Sequence, residues 1–190
     1  DTKNTGNAVA VGTGEDADKS AIAALANSET DATELTGNTL TVNGTVTGRA
    51  VGANSVAGNA TENNVTIGAG ATVDGFVAGG LTADGTANGN IVTINGGTIT
   101  GDVYGGYSEK EAKDNTVELA GGTIKGTVYG GYVPDASAAT SVRSKRSMPR
   151  RTLAATTGST SGNTLNVTKA TTVGNLAKRR CRRLRGSRME

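Results

Sequence analysis

The chain has 190 residues, with 29 Gly, 2 Pro, 4 Tyr, 1 Phe, 1 Cys and neither Trp nor His. Val, Ile, Leu and Ala must therefore build the core, while the absence of His and the single Cys exclude imidazole bases, intrachain disulfides and His/Cys zinc sites. The net charge of +2 conceals an acidic body, residues 1–140 with 6 basic and 16 acidic side chains, and a basic end, residues 141–190 with 13 and 1.

Residues 1–37 read as an irregular or degenerate N-terminal segment. "NAVAVGTG" from Asn7 reads as a degenerate strand and turn, and "SAIAALANS" from Ser20 as a short helix or a loop excursion. The segment suits an end cap, because the last strand of a stack presents unpaired N–H and C=O groups. "GEDADK" from Gly14 has acidic residues at alternate positions, as a calcium loop does, but lacks the rest of such a loop and reads as solvated. The Asp1 start shows no charged n-region or apolar h-region, which suggests an internal piece of a longer chain or a mature product. No apolar run approaches the ~20 residues a membrane-spanning helix needs.

From residue 38 a sentence repeats. Its first line is Asn-x-apolar-x-apolar, seen as "NTLTV" from Asn38, "NNVTI" from Asn63, "NIVTI" from Asn90, "NTVEL" from Asn115 and "NTLNV" from Asn163. The intervals are 25, 27, 25 and 48, and the last predicts a further unit hidden between residues 140 and 162. Each line leads into a Gly turn, a short Thr-Val or Thr-Ile pair, a Gly and a third apolar stretch such as "VYGGY". Alternation within these stretches points Leu40/Val42, Val65/Ile67, Val92/Ile94, Val117/Leu119 and Leu165/Val167 inward, as a half-buried strand requires. The same holds for Val46, Val73, Ile99, Ile124 and Val173, with Val77, Val103 and Val128 on a third side.

Three short strands per unit, joined by Gly-rich corners, describe one coil of a β-solenoid, and residues 38–140 are assigned to it. Stacked coils lie about 4.7–4.9 Å apart, so equivalent residues become ladders. Asn38, Asn63, Asn90, Asn115 and Asn163 form the expected structural column, each amide bonding its neighbours and each Asn tolerating a left-handed bend. The pairs Gly96/Gly97, Gly121/Gly122, Gly105/Gly106 and Gly130/Gly131 are expected at corners of positive φ. Tyr104 over Tyr129, and Tyr107 over Tyr132, should stack as aromatic columns, which are also the candidate surface binding columns.

The basic end departs from the pattern. Residues 141–162 are a disrupted, basic repeat, 163–176 a partial coil, and 177–190 a basic tail expected to be disordered. Arg at inward positions would be buried without partners, at a cost of several kcal/mol or more. One reading is a basic arm for phosphates or anionic lipid, since clustered Arg gives salt-sensitive affinity without sequence preference. Another is out-of-frame translation, because "RTLAATT" and "RRCRRL" admit codons that spell "YAGGYY" and "DVAGGY" in a shifted frame.

"GNIVTINGGTITGDVYGGY" and "NTVELAGGTIKGTVYGGY" resemble the passenger repeats of large bacterial autotransporter adhesins and related surface proteins. The resemblance covers residues 38–132 and, more loosely, 163–176; "VGANSVAGNA" from Val51 is also similar to the head repeats of trimeric adhesins. It implies a right-handed parallel β-helix displayed outside a Gram-negative cell, normally followed by an outer-membrane barrel. No barrel pattern is present here, so membrane association would depend on sequence outside this chain. The expected protein is all-β and non-catalytic, an adhesin-like stalk or binding surface whose partner is a host or cell-surface glycan or protein. No cofactor, metal or specific nucleic acid is expected. The alternatives are a β-helix enzyme acting on polysaccharides and a polyanion-binding protein working through its basic end. Carboxylates suited to the first, Asp74, Asp102, Glu118 and Asp135, are scattered along the sequence.

Overall fold

The computed structural model describes residues 3–5, 8–11, 20–21, 24–29, 33–134, 161–169 and 171–173, and every regular element among them is a strand. The first rung holds β1 (Lys3–Thr5), β2 (Ala8–Val11), β3 (Ser20–Ala21) and β4 (Ala24–Glu29). The second holds β5 (Glu34–Thr36), β6 (Thr39–Val42), β7 (Thr45–Val46) and β8 (Ala50–Ser55). In the third are β9 (Asn59–Thr61), β10 (Asn64–Ile67), β11 (Thr72–Val73) and β12 (Val77–Thr82). The fourth contains β13 (Ile91–Ile94), β14 (Thr98–Ile99) and β15 (Val103–Ser108), and the fifth β16 (Thr116–Leu119), β17 (Thr123–Ile124) and β18 (Val128–Tyr132). The strands β19 (Thr164–Val167) and β20 (Thr172–Val173) begin a sixth.

Every strand pairs in parallel with the equivalent strand of a neighbouring rung, which makes the described residues a parallel β-solenoid. The arrangement is consistent with a right-handed β-helix, the hand that parallel crossovers favour. Two six-stranded sheets, β2-β6-β10-β13-β16-β19 and β3-β7-β11-β14-β17-β20, and a five-stranded sheet, β4-β8-β12-β15-β18, form the three expected sides. There is also a fourth, β1-β5-β9, extended by a parallel bridge between Thr86 and Glu111. Its strands β5 and β9 carry one buried apolar residue each, Leu35 and Ala60, too short a signal to stand out as alternation.

The main core is the column set read from the repeat: Leu40/Val42, Val65/Ile67, Val92/Ile94, Val117/Leu119, Val46, Val73, Ile99, Ile124, Val77, Val103, Val128 and Leu165 are all buried. Val167 and Val173, in the terminal rung, pack against it only partly buried. A smaller cluster of Leu35, Ala53 and Ala60 lies under the fourth side.

Four expectations change. Ser20–Ala21 and Ala24–Glu29 are strands rather than a helix or loop, because each pairs in register with β7 or β8. Gly105/Gly106 and Gly130/Gly131 lie inside β15 and β18, with no positive φ, so the demand at those positions is for space and not for a corner. Gly97, Gly121 and Gly122 do turn corners at positive φ. The left-handed bend belongs to the residue before each column Asn: Gly37 at 67°, Glu62 at 55°, Gly89 at 67°, Asp114 at 53° and Gly162 at 69°. Finally, β19 pairs directly with β16, Leu165 opposite Val117, so no unit is interposed between Asn115 and Asn163. The disrupted repeat up to residue 160, the tail 177–190, Asp135 and "GEDADK" all lie outside the described residues.

Candidate binding face and the asparagine ladder beneath it

The Asn column is fully buried from Asn38 to Asn115, and Asn163 is nearly so. The side chains of Asn63, Asn90 and Asn115 each use their whole hydrogen-bonding capacity. Asn90 Nδ2 donates to Asn115 Oδ1 at 2.9 Å and to the Ala60 carbonyl at 2.9 Å. Asn90 Oδ1 accepts from the Asn63 backbone N–H at 3.0 Å and from Asn63 Nδ2 at 2.9 Å. The same four bonds recur around Asn63 and Asn115, and Asn163 donates to the Ala112 carbonyl at 2.8 Å. The ladder thus ties the fourth side to the sheet that begins at the next residue. A buried amide with two donors and two acceptor sites satisfied in this way avoids the desolvation penalty of an orphaned polar group.

The ladder dictates the glycines. A Cβ on Gly79, Gly105 or Gly130 would stand 2.7, 2.9 and 2.9 Å from the Cβ of Asn90, Asn115 and Asn163. On Gly106 it would meet the Ala87 carbonyl at 2.6 Å and Asn115 Nδ2 at 2.7 Å; on Gly131, Asn163 Nδ2 at 2.6 Å and the Ala112 carbonyl at 2.7 Å. Two consecutive residues therefore turn inward, one towards each core, and the strand bends around the amides. The bend shifts the alternation by one. Val103 faces in, Tyr104 out, Gly105 and Gly106 in, Tyr107 out and Ser108 in, so two tyrosines three residues apart share the outer face.

The register sets Tyr104 beside Tyr129 and Tyr107 beside Tyr132. Tyr104 and Tyr129 stack with centroids 5.2 Å apart and planes 7° from parallel; Tyr107 and Tyr132 are tilted at 5.4 Å and 34°. The two columns also touch each other: Tyr104 meets Tyr107 edge-on at 5.5 Å, and Tyr129 meets Tyr132 at 4.9 Å. Phe76, one rung earlier, closes the side of Tyr104 at 6.1 Å. The four candidate tyrosines form one partly exposed aromatic face over the fourth and fifth rungs. Smaller residues, Ala78 and Leu81, occupy its columns one rung back.

A carboxylate anchors the face. Tyr104 Oη donates to Asp102 Oδ2 at 3.0 Å, and Asp102 Oδ1 accepts from the Thr127 N–H at 2.6 Å. Burial, then the hydrogen bond to Asp102 and its charge, push the Tyr104 phenol well above its ordinary range. Burial also raises Tyr129, opposed by its bond to Thr127. At the far corner, Lys113 Nζ lies 2.5 Å from Glu111 Oε2, and that bond, then the one from Asn88, holds the Glu111 carboxyl below its ordinary value. Lys110 and Asp84 face each other in solvent at 3.6 Å, a pair of little energetic weight.

Of the scattered carboxylates, Asp74 and Glu118 lie on other outer columns, away from the Asp102–Tyr104 pair. Among the described residues no group of three or more His, Cys, Asp or Glu is placed to hold a metal, and no helix is long and apolar enough to cross a membrane. What the face offers is ring edges, C–H surface and phenol oxygens, chemistry that suits reversible contact with amphipathic ligands.

No protein-family model, curated protein or solved structure matches the chain.

Sequence reasoning missed several participants. Phe76 and Asp102 belong to the face because they occupy one column, in the residue before β12 and β15, a relation visible only from the register. The carbonyls of Leu35, Ala60, Ala87 and Ala112 stand a constant three residues before a column Asn, a signal present in the sequence. Asn7 precedes Ala8 as Asn38 precedes Thr39, and Ala8 pairs with Thr39. The pair Gly6-Asn7 repeats the Gly-Asn of residues 37–38, although Asn7 lies outside the described residues.

Proposed function

We propose that this chain is a non-catalytic β-solenoid segment of a surface-displayed or secreted bacterial protein, an adhesin-like stalk that presents a binding face. The observation that carries the reading is the joined cluster of Tyr104, Tyr107, Tyr129 and Tyr132, raised on a rigid bend and anchored by Asp102. Four aromatic side chains are the whole tyrosine content of the chain, and all of them stand on the outside of one sheet rather than in a core otherwise short of large side chains. The rings favour the C–H faces of sugars or the apolar groups of a surface protein, and the phenol oxygens give directional hydrogen bonds. The repeat supplies the rest of the mechanism: stacked rungs carry the face along a rod of fixed geometry.

The test is binding of the full chain to a glycan array and to intact host cells, compared with a Tyr104→Ser/Tyr129→Ser variant whose β-sheet circular dichroism is unchanged. Saturable binding that the variant loses supports the reading. Binding that survives the double substitution places the contact elsewhere and overturns it. A substrate broken down by the chain would overturn the non-catalytic part.

A further inference from the structure

We infer that Asn95 is a site of self-catalysed deamidation, selected among the Asn–Gly pairs by the way the solenoid holds their neighbours. The chain contains three such pairs, Asn43–Gly44, Asn88–Gly89 and Asn95–Gly96. Sequence alone ranks them as equals, because in each the following Gly has no Cβ to hinder attack by its backbone nitrogen.

The fold separates them. Asn88 is clamped: its Oδ1 accepts from the Lys113 N–H at 2.8 Å, its Nδ2 donates to Glu111 Oε1 at 3.1 Å, and the Gly89 N–H donates to the Lys113 carbonyl at 3.0 Å. Nucleophile and electrophile are thus both engaged, and Gly89 is fixed at a φ of 67°. Asn43 is exposed, but its amide packs against Gly68 of the next rung. Asn95 is exposed at the corner between β13 and β14, and among the described residues neither its side-chain amide nor the Gly96 N–H takes part in a hydrogen bond. Gly97, at a φ of 77°, follows it and turns the corner into β14.

In the reaction the Gly96 backbone nitrogen, giving up its proton, attacks Asn95 Cγ and forms a new N–C bond. The bond from Cγ to Nδ2 breaks, and nitrogen leaves as ammonia with the transferred proton. The resulting succinimide is opened by water at either carbonyl, giving an aspartate or an isoaspartate at position 95. No oxidant or cofactor is required. The ladder asparagines are excluded from this chemistry. In Asn63, Asn90, Asn115 and Asn163 both atoms of the amide are bonded, and the next N–H is held by the preceding rung, as Ile91 N–H is by the Asn63 carbonyl at 2.8 Å.

The two products differ in consequence. Aspartate adds a charge to an exposed corner. Isoaspartate adds a backbone atom between β13, held through Asn95 N–H to the Ile67 carbonyl at 2.9 Å, and β14, held through Thr98 N–H to the Ala71 carbonyl at 2.9 Å. That lengthening displaces β14 from the register shared by the third and fifth rungs.

The test is incubation of the folded full-length chain at mildly alkaline pH, followed by peptide mapping with mass spectrometry that resolves isoaspartate, in parallel with the same chain in urea. The expected result is that Asn95 converts at least about tenfold faster than Asn88 in the folded chain, the factor set by one or two protecting hydrogen bonds. In urea the two rates should converge. If Asn88 converts as fast as Asn95 in the folded chain, or if the difference persists undiminished in urea, the selection does not come from the fold and the inference is wrong.

Discussion

Replacing Asn90 with Ala tests the ladder at one of its fully bonded rungs. The substitution removes four hydrogen bonds, two donated to Asn115 Oδ1 and the Ala60 carbonyl and two accepted from Asn63. Asn115 Oδ1 keeps its bond from the Asn90 backbone N–H at 2.9 Å. Three groups lose a partner: the Asn63 N–H, one Asn63 Nδ2 hydrogen and the Ala60 carbonyl. At about 1–2 kcal/mol for each buried orphan, the loss is roughly 3–6 kcal/mol, a large part of the about 5–15 kcal/mol that stabilises an ordinary domain. Asn90→Asp should be worse at neutral pH, since it also buries a charge with no cation against it. Urea denaturation followed by circular dichroism gives the magnitude, and hydrogen exchange gives the location, because a repeat protein feels such a change mainly in adjoining rungs. Exchange at the Asn63 N–H should accelerate. A loss below about 1 kcal/mol, the size expected of one ordinary hydrogen bond, or unchanged protection at Asn63, would refute the claim that the ladder is held by mutual satisfaction.

Glu62→Gly should stabilise the chain by about 0.5–1 kcal/mol, because a left-handed backbone costs an L-residue more than Gly loses in entropy; Asp114→Gly should gain less, as Asp tolerates that region better. A lower urea midpoint for Glu62→Gly would contradict this. Gly106→Ala should cost about 1–3 kcal/mol or more through overpacking against the Ala87 carbonyl and Asn115, read from the same denaturation curve. In an alkaline absorbance titration Tyr104 should ionise well above the ordinary tyrosine range, and Tyr104→Phe should remove that step. Since its folded pKa is raised, its stabilising contribution is complete below the unfolded value of about 10 and falls away as pH rises beyond it. Stability that stays flat through this range would argue against a buried, Asp102-bonded phenol.

Much of this protein is legible in its sequence because each rung reuses the same local solution. The Asn-x-apolar-x-apolar line, the Thr-Val or Thr-Ile pair and the third apolar stretch locate three sides of the solenoid, and the inward columns from Leu40 to Ile124 follow from period-two alternation. The Asn and Tyr columns follow as well, since a fixed interval and parallel stacking place equals beside equals. Tertiary structure decided what depends on contacts between rungs. Only the stacked amides show that Gly105/Gly106 and Gly130/Gly131 serve clearance, and only the resulting bend merges two tyrosine columns into one face. Register, too, was beyond local reading: the spacing of 48 residues suggested an intervening unit, yet Asn163 bonds directly to Asn115. Local propensity specifies a strand and its inward face, whereas which strand lies beside it is settled by the long-range hydrogen bonds that close the stack.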